Sequence, residues 1–284
     1  VQHHHAHMAS CMAENGLDGE TIGVIFDGTG YGLDGTVWGG EFLVGDYQNF
    51  RRAGHLRTVA MPGGDAAIRE PFRMALSYLY DLGEKDFSGL QFPCLTGLSI
   101  QERELLFKML ERGINAPRSS SCGRLFDAVS ALLDIRSRVS YEGQAAIELE
   151  AMAEQVKTDA VYAFSVLESE DGLILDMRPG LRELLIDLDD DKSRPVIARC
   201  FHNTIAAATA AMCETIRSAN GLNRVVLSGG VFQNKLLAEG TVNRLTERGF
   251  QVFTHRLVPP NDGGLALGQA VIAGLKHTRS GNCH

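Results

Sequence analysis

The sequence is short of the marks that define several protein classes. It shows no secretory leader pattern and no apolar run long enough to span a bilayer, so the expectation is a cytoplasmic chain without membrane association. Six cysteines (Cys11, Cys94, Cys122, Cys200, Cys213 and Cys283) are scattered, and none forms a Cys-x-x-Cys pair. That excludes a zinc-finger module and argues for reduced thiols over a disulfide framework. No run of Lys or Arg occurs, and the net charge is −8 with a pI near 5.6, so a nucleic-acid surface is not expected. Internal repeats and low-complexity segments are also missing.

What is present is ordinary core material. Hydrophobic residues make up 44% and charged residues 22% of 284 residues, enough for one large domain or two moderate ones. The 31 glycines gather in short clusters between periodic segments, where turns and anion-binding loops need them.

Two stretches at the start organise the rest. Residues 3–14 read as a helix stopped by Asn15-Gly16. His3 and His7 are four apart and share one helical face, a spacing at which two imidazoles can grip one metal ion. A purification tag or surface histidines would look similar, but Ala6 breaks the run and an apolar helix follows without a linker. His4 and His5 point elsewhere and receive no ligand role. Next, Thr21 to Phe26 reads as a buried strand, residues 27–35 as a glycine turn, and residues 36–44 as a returning strand. Asp27 would bind metal at the turn. The backbone N–H groups of Gly28, Thr29 and Gly30 would cradle an anion. A tight Asp-Gly hairpin turn is the plainer reading of the same residues.

Further candidates lie downstream. Gly64 and Asp65, in a break at residues 61–65, could meet a ribose or simply start a helix. That helix spans residues 66–82, with Pro71 a point at which it can split. Ser121, Gly123 and Arg124 open another helix and form a second anion loop. Cys122 there would have a lowered pKa as a nucleophile, although a small residue in a tight turn is the plainer reading. Helices are also expected over 99–112, 143–156, 195–217 and 265–275, with strands over 160–166, 173–177, 225–227 and 250–254 and a loose polar tail over 276–284. Gly229 and Gly230 sit between a short strand and a helix, with Asn234 placed to bond a base or ribose. Asp262 opens the last helix, where an aspartate is a favoured cap and also a good holder of a metal-bound phosphate. Strand–helix alternation in the second half argues α/β with a largely parallel sheet there.

The stretches Val1-Gln2-His3-His4-His5-Ala6-His7, Phe26-Asp27-Gly28-Thr29-Gly30-Tyr31-Gly32, Trp38-Gly39-Gly40-Glu41, Met61-Pro62-Gly63-Gly64-Asp65, Ser228-Gly229-Gly230-Val231-Phe232-Gln233-Asn234 and Pro260-Asn261-Asp262-Gly263-Gly264 occur in this order over essentially the whole chain. Together they resemble the C-terminal carbamoyltransferase domain of the HypF family of hydrogenase-maturation proteins. The pattern is more loosely similar to antibiotic O-carbamoyltransferases and to tRNA threonylcarbamoyl-transfer subunits. The resemblance implies an actin-like ATPase fold of two RNase-H-like α/β lobes with a central cleft. Residues 1–60 would be part of the first lobe, with strands preceding Val1, and residues 61–284 the second lobe with helical insertions. It implies a metal on His3, His7, Asp27 and Asp262, for which two imidazoles and two carboxylates suit zinc or iron, and a nucleotide, ATP or carbamoyl-adenylate, against Gly28, Gly229 and Asn234. The implied reaction transfers a carbamoyl group from carbamoyl-adenylate to the C-terminal cysteine of a HypE-like acceptor, without a covalent enzyme nucleophile. An upstream domain of the same polypeptide would form the adenylate. A magnesium-dependent kinase or ATPase of the same fold, or a small-molecule O-carbamoyltransferase, is the alternative.

Overall fold

The computed structural model describes residues 1–280; Cys283 and the end of the expected tail lie outside the described residues. The chain opens with helix α1 (His3–Glu14) and strands β1 (Thr21–Tyr31), β2 (Val37–Gly45), β3 (Phe50–Leu56) and β4 (Val59–Ala60). A helical stretch follows: α2 (Ala66–Arg69), α3 (Phe72–Asp81), α4 (Ile100–Arg112), strand β5 (Arg118–Ser119), α5 (Cys122–Leu132) and α6 (Gln144–Ala153). The second half comprises β6 (Ser165–Ser169), β7 (Gly172–Asp176), α7 (Arg178–Asp189), α8 (Arg194–Asn220), β8 (Arg224–Ser228), α9 (Lys235–Glu247), β9 (Gln251–Phe253) and α10 (Leu265–Ser280).

Among the described residues the strands form one sheet, ordered β6-β7-β3-β2-β1-β8-β9, with β5 bridging β2 and β4 beside it. β1, β2 and β3 are antiparallel neighbours, while β8 and then β9 join the other edge of β1 in parallel. This is the mixed sheet of an RNase-H-like lobe, so the α/β expectation holds. The expected division at residue 60 has no counterpart as a break in the sheet. β1, from before it, pairs directly with β8 from after it.

Burial of β1 on both faces explains the central position of that strand. Ile22, Val24 and Phe26 face a large core shared with α5 and α8, and Ile25 faces a smaller one with Met8, Cys11 and Met12 of α1. The period of two separates the faces. α1 is held against the sheet by α10, and Gly268 makes this possible. A Cβ there would fall 1.9 Å from the Ala6 carbonyl oxygen. The insertion from α2 to α5 builds its own apolar cluster around Phe72, Leu76, Phe87, Leu95 and Leu106. Its α4 starts in a reciprocal capping box between Ser99 and Glu102.

Four local expectations change. β1 does not end before Asp27 but continues to Tyr31 through a register irregularity between Phe26 and Gly30, and the turn comes later, where Gly32 N–H bonds the Thr36 carbonyl. β3 and α7 were not expected. The Arg-Arg pair of β3 masks its period, and Arg178-Pro179-Gly180 hides the start of α7, where the missing proline N–H costs nothing. As expected, the residue 66–82 helix splits at Pro71, into α2 and α3. α10 runs on to Ser280, into the segment expected to be loose.

Candidate functional site

His3 and His7 stand one turn apart on α1, whose first turn is capped by the Gln2 side chain accepting from His5 N–H at 2.8 Å. Both rings face β1 at the irregularity that carries Asp27. A bulge re-aims a side chain, and here it turns the Asp27 carboxylate toward α1. Asp27 Oδ2 lies 3.1 Å from His3 Nε2 and 3.0 Å from His7 Nε2. Gly30 is small because the rings pass over it: a Cβ there would lie 2.4 Å from His4 Cε1 and 2.7 Å from His3 Cδ2.

Asp262 completes the group. It does not cap a helix, because Asn261 does: the Asn261 side chain accepts from Gly263 N–H at 3.0 Å. The Asp262 carboxylate is thereby free, and its Oδ1 sits 3.4 Å from His7 Nε2 and 3.6 Å from His3 Nε2. One ligand atom from each of the four residues lies within 4.8 Å of all the others.

These spacings match a metal shell. With bonds of about 2.1 Å, adjacent ligand atoms lie roughly 3.0 Å apart around an octahedral ion and roughly 3.4 Å apart around a tetrahedral one. The buried Nε2 of His7 has no hydrogen-bond partner among the described residues despite its 3.0 Å approach to Asp27. The contact is not aligned as a hydrogen bond. Two imidazoles and two carboxylates suit zinc or ferrous iron and match magnesium poorly. The residues therefore fit a divalent metal.

Electrostatics agree. Burial opposes ionisation of Asp27, yet the hydrogen bond from His3, the charge of the adjacent His7 imidazole and the Gly28 N–H outweigh it and hold its carboxyl far below the usual range. His3 is raised by its hydrogen bond to Asp27, against the effect of burial. His4 and His5 take no part in the group. Burial lowers His4 to about 4, and His5 Nε2–H donates to the Asp46 carbonyl at 2.7 Å.

Beside the four residues opens a cavity of about 510 Å³ lined by Asp27, Gly28, Thr29, Gly123, Arg124, Gly230, Asn234 and Asp262, and by Glu142, Glu150 and Gln233. Its volume suits a small organic ligand. The cavity redistributes the expected roles. Gly28 N–H donates to Asp27 Oδ1 at 2.8 Å and Gly230 N–H to the same oxygen at 3.3 Å, so Asp27 takes up one N–H of the expected Gly28-Thr29-Gly30 cradle and one from the second glycine loop. The open cation is Arg124. It is 5% exposed, its Nε and Nη1 have no hydrogen-bond partner among the described residues, and its Nη2 lies 3.0 Å from Asp127 Oδ2. Burial pushes the Asp127 carboxyl up to about 6, with Arg124 pulling the other way.

Other expected residues have different duties. Ser121 Oγ caps α5 at Arg124 N–H and reaches the carbonyls of Asp27 and Gly28, which fixes the bulge. Gly229 lies at φ +99°, and a Cβ there would fall 2.2 Å from the Phe26 carbonyl oxygen. The Asn234 amide has both ends engaged: its oxygen caps α9 at Leu237 N–H and its nitrogen donates to His202 Nε2. Gly64 and Asp65 are not among the cavity-lining residues; their loop bonds Asn115 and begins α2. Burial pushes the Cys122 thiol up, opposite to what a nucleophile needs. Buried Glu41 accepts from Gly39 N–H, Gly40 N–H, Arg52 Nε and Ser120 Oγ, so the Trp38-Gly39-Gly40-Glu41 motif braces β2 behind Asp27.

Comparison with known proteins follows the same outline. The family model described as carbamoyltransferase, Kae1-like domain, second subdomain, matches residues 23–269. The carbamoyltransferase HypF2 of Cupriavidus necator is 40% identical over 96% of this chain and 36% of its own length. A carbamoyltransferase HypF homolog of the same organism is 41% identical over 98% of this chain and 71% of its own. A crystal structure of full-length HypF in a phosphate- and nucleotide-bound form superposes with a TM-score of 0.89 at 41% identity, covering 97% of this chain and 36% of that one. The structure of T. kodakarensis HypF gives 0.87 at 32% identity, covering 98% of this chain and 36% of that one. The chain thus spans 36% of the full-length relatives it matches.

Proposed function

Since the chain belongs to the HypF carbamoyltransferase family, we propose that it transfers a carbamoyl group from carbamoyl-adenylate to the C-terminal cysteine thiolate of a HypE-like acceptor, within maturation of the cyanide ligands of nickel–iron hydrogenase. The observation that carries this reading is the convergence of His3, His7, Asp27 and Asp262 at the rim of a cavity of nucleotide size. The adenylate comes from an upstream domain of the same polypeptide, and the reaction takes place in the cytoplasm.

His3, His7, Asp27 and Asp262 would hold zinc or iron, which when bound acts as a Lewis acid on phosphate oxygens. Arg124 places its N–H groups against the departing AMP phosphate. Glu142 and Glu150 offer acceptors to the ribose hydroxyls, and Gly28 and Gly230 let the ligand approach the backbone. Carbamoyl-adenylate is a mixed anhydride and needs no enzyme nucleophile. The thiolate sulfur forms a bond to the carbamoyl carbon, and the bond from that carbon to the phosphate oxygen breaks with its electron pair leaving on AMP. A magnesium-dependent kinase would use carboxylates, phosphates and waters where this chain places two imidazoles.

The test supplies carbamoyl-adenylate and a HypE-like acceptor to the zinc- or iron-loaded chain and follows the acceptor by mass spectrometry. The expected product carries a carbamoyl increment on its C-terminal cysteine, with AMP released in equal amount, and His3→Ala abolishes both. An unmodified acceptor, together with hydrolysis of ATP in a parallel reaction that supplies ATP and Mg²⁺, would instead support the ATPase reading.

A further inference from the structure

A hydrogen-bonded chain outside the four-residue group ties its parts together. Glu14 Oε2 lies 2.9 Å from His255 Nδ1, and His255 Nε2 lies 2.8 Å from Ser228 Oγ. Glu14 Oε1 also accepts from the N–H groups of Arg256 and Leu257. Those N–H groups and the His255 contact keep the Glu14 carboxyl low against its burial. An ionised Glu14 only accepts, so His255 carries its proton on Nδ1 and Ser228 donates to Nε2.

The order serine, imidazole, carboxylate is that of an activated nucleophile. Ser228 is 0% exposed, however, and is not among the residues lining the cavity, so no substrate reaches it. Its position in the fold points to a mechanical role. His3, His7, Ser10 and Glu14 fall at successive steps of four, three and four, which is one stripe along α1. The first two are the imidazoles of the metal group. The last two tether the segment that bears Asp262: Glu14 holds residues 255–257, and Ser10 Oγ donates to the Gly264 carbonyl at 2.8 Å. Between these tethers Gly229 N–H bonds the Pro260 carbonyl at 2.9 Å. Ser228 is the last residue of β8 and the root of the glycine loop whose Gly230 N–H reaches Asp27.

We infer that Glu14, His255 and Ser228 form a positioning relay that couples the metal group to the glycine loop, so that nucleotide binding and metal binding tighten each other. Through Glu14, α1 sets the segment that presents Asp262 to His3 and His7. Through Ser228, the same link sets the loop that borders the cavity. A ligand that orders the loop then orders the Asp262 segment at no additional cost, which is a reciprocal coupling between two sites. This inference rests on the metal reading above.

The experiment titrates the full chain with Co²⁺, whose visible bands report ligand number and geometry, with and without AMP. Wild type is expected to bind Co²⁺ about tenfold more tightly when AMP is present, and its bands should shift on nucleotide addition. In Ser228→Ala, which removes one hydroxyl and no backbone bond, the tightening should fall below about twofold while Co²⁺ still binds. Glu14→Ala should lose the coupling as well. Glu14→Gln should restore it, because its oxygen keeps both backbone bonds and its amide nitrogen can donate to Nδ1 after a proton shift on the ring. A purely structural role would lower the melting temperature of all variants and leave the band shift in place. Coupling unchanged in Ser228→Ala overturns the relay alone. If Glu14→Ala does not fold, Ser228→Ala decides. A wild type that binds no Co²⁺ overturns the metal reading, and the relay falls with it.

Discussion

Asp127→Asn isolates the charge pair at the floor of the cavity. Asp127 is buried, its carboxyl is pushed up to about 6, and its neighbour Arg124 sits 3.0 Å away. In the unfolded chain an aspartate titrates near about 3.9. The folded value is the higher one, so between about pH 4 and pH 6 the folded chain binds a proton that the unfolded chain has lost. The buried charge therefore weakens the fold above pH 6, and that penalty fades as pH falls through the window. Applying linkage to these two values, the group makes the fold more stable at pH 5 than at pH 8 by about 1.4 kcal/mol. Asparagine has no such titration. Urea unfolding of both proteins from pH 5 to pH 8 should give a difference curve of about that amplitude bending near pH 6, whatever the constant offset from leaving Arg124 without its counter-charge. Other titrating groups cancel in the difference. A curve flat within about 0.3 kcal/mol would refute the reasoning, since it would mean that Asp127 is not desolvated in the fold. The functional corollary is that protonating Asp127 releases Arg124. AMP affinity should then rise as pH falls through 6 in wild type, and less so in Asp127→Asn.

Three further outcomes are expected. His7→Ala removes one of four ligands and should lower Zn²⁺ affinity about 100-fold, taking a share of about 3 kcal/mol from a four-ligand site; chelator competition measures this, and unchanged affinity would remove His7 from the shell. Gly268→Ala places a methyl 1.9 Å from the Ala6 carbonyl oxygen and should cost about 3 kcal/mol or more, read as a lower melting temperature together with weaker metal binding as α1 is displaced. Ser99→Ala breaks the capping box of α4, away from the cavity, and should cost about 1 kcal/mol in urea unfolding with metal and nucleotide affinity unchanged.

Local chemistry made part of this protein legible in one dimension. The pair His3 and His7 announces its shared face through helical period alone, and the buried strand from Thr21, the split at Pro71 and the α/β alternation follow from pattern and backbone constraint in the same way. The stripe His3, His7, Ser10, Glu14 was equally visible, but nothing local says what Ser10 and Glu14 hold. That depends on β8, β9 and α10 placing Ser228, His255 and Gly264 beside them. Long-range packing decided the rest. It carried β1 past Asp27 as a bulged strand, satisfied the glycine N–H groups with the Asp27 carboxylate, and left Arg124 as the open donor. It tied the loop of Gly64 and Asp65 to Asn115 through the Gly63 N–H, and neither residue lines the cavity. Spacing along a chain reports which side chains share a helix face. Whether a carboxylate meets those side chains, or an N–H remains free for a ligand, is settled only when distant segments compete for the same hydrogen bonds.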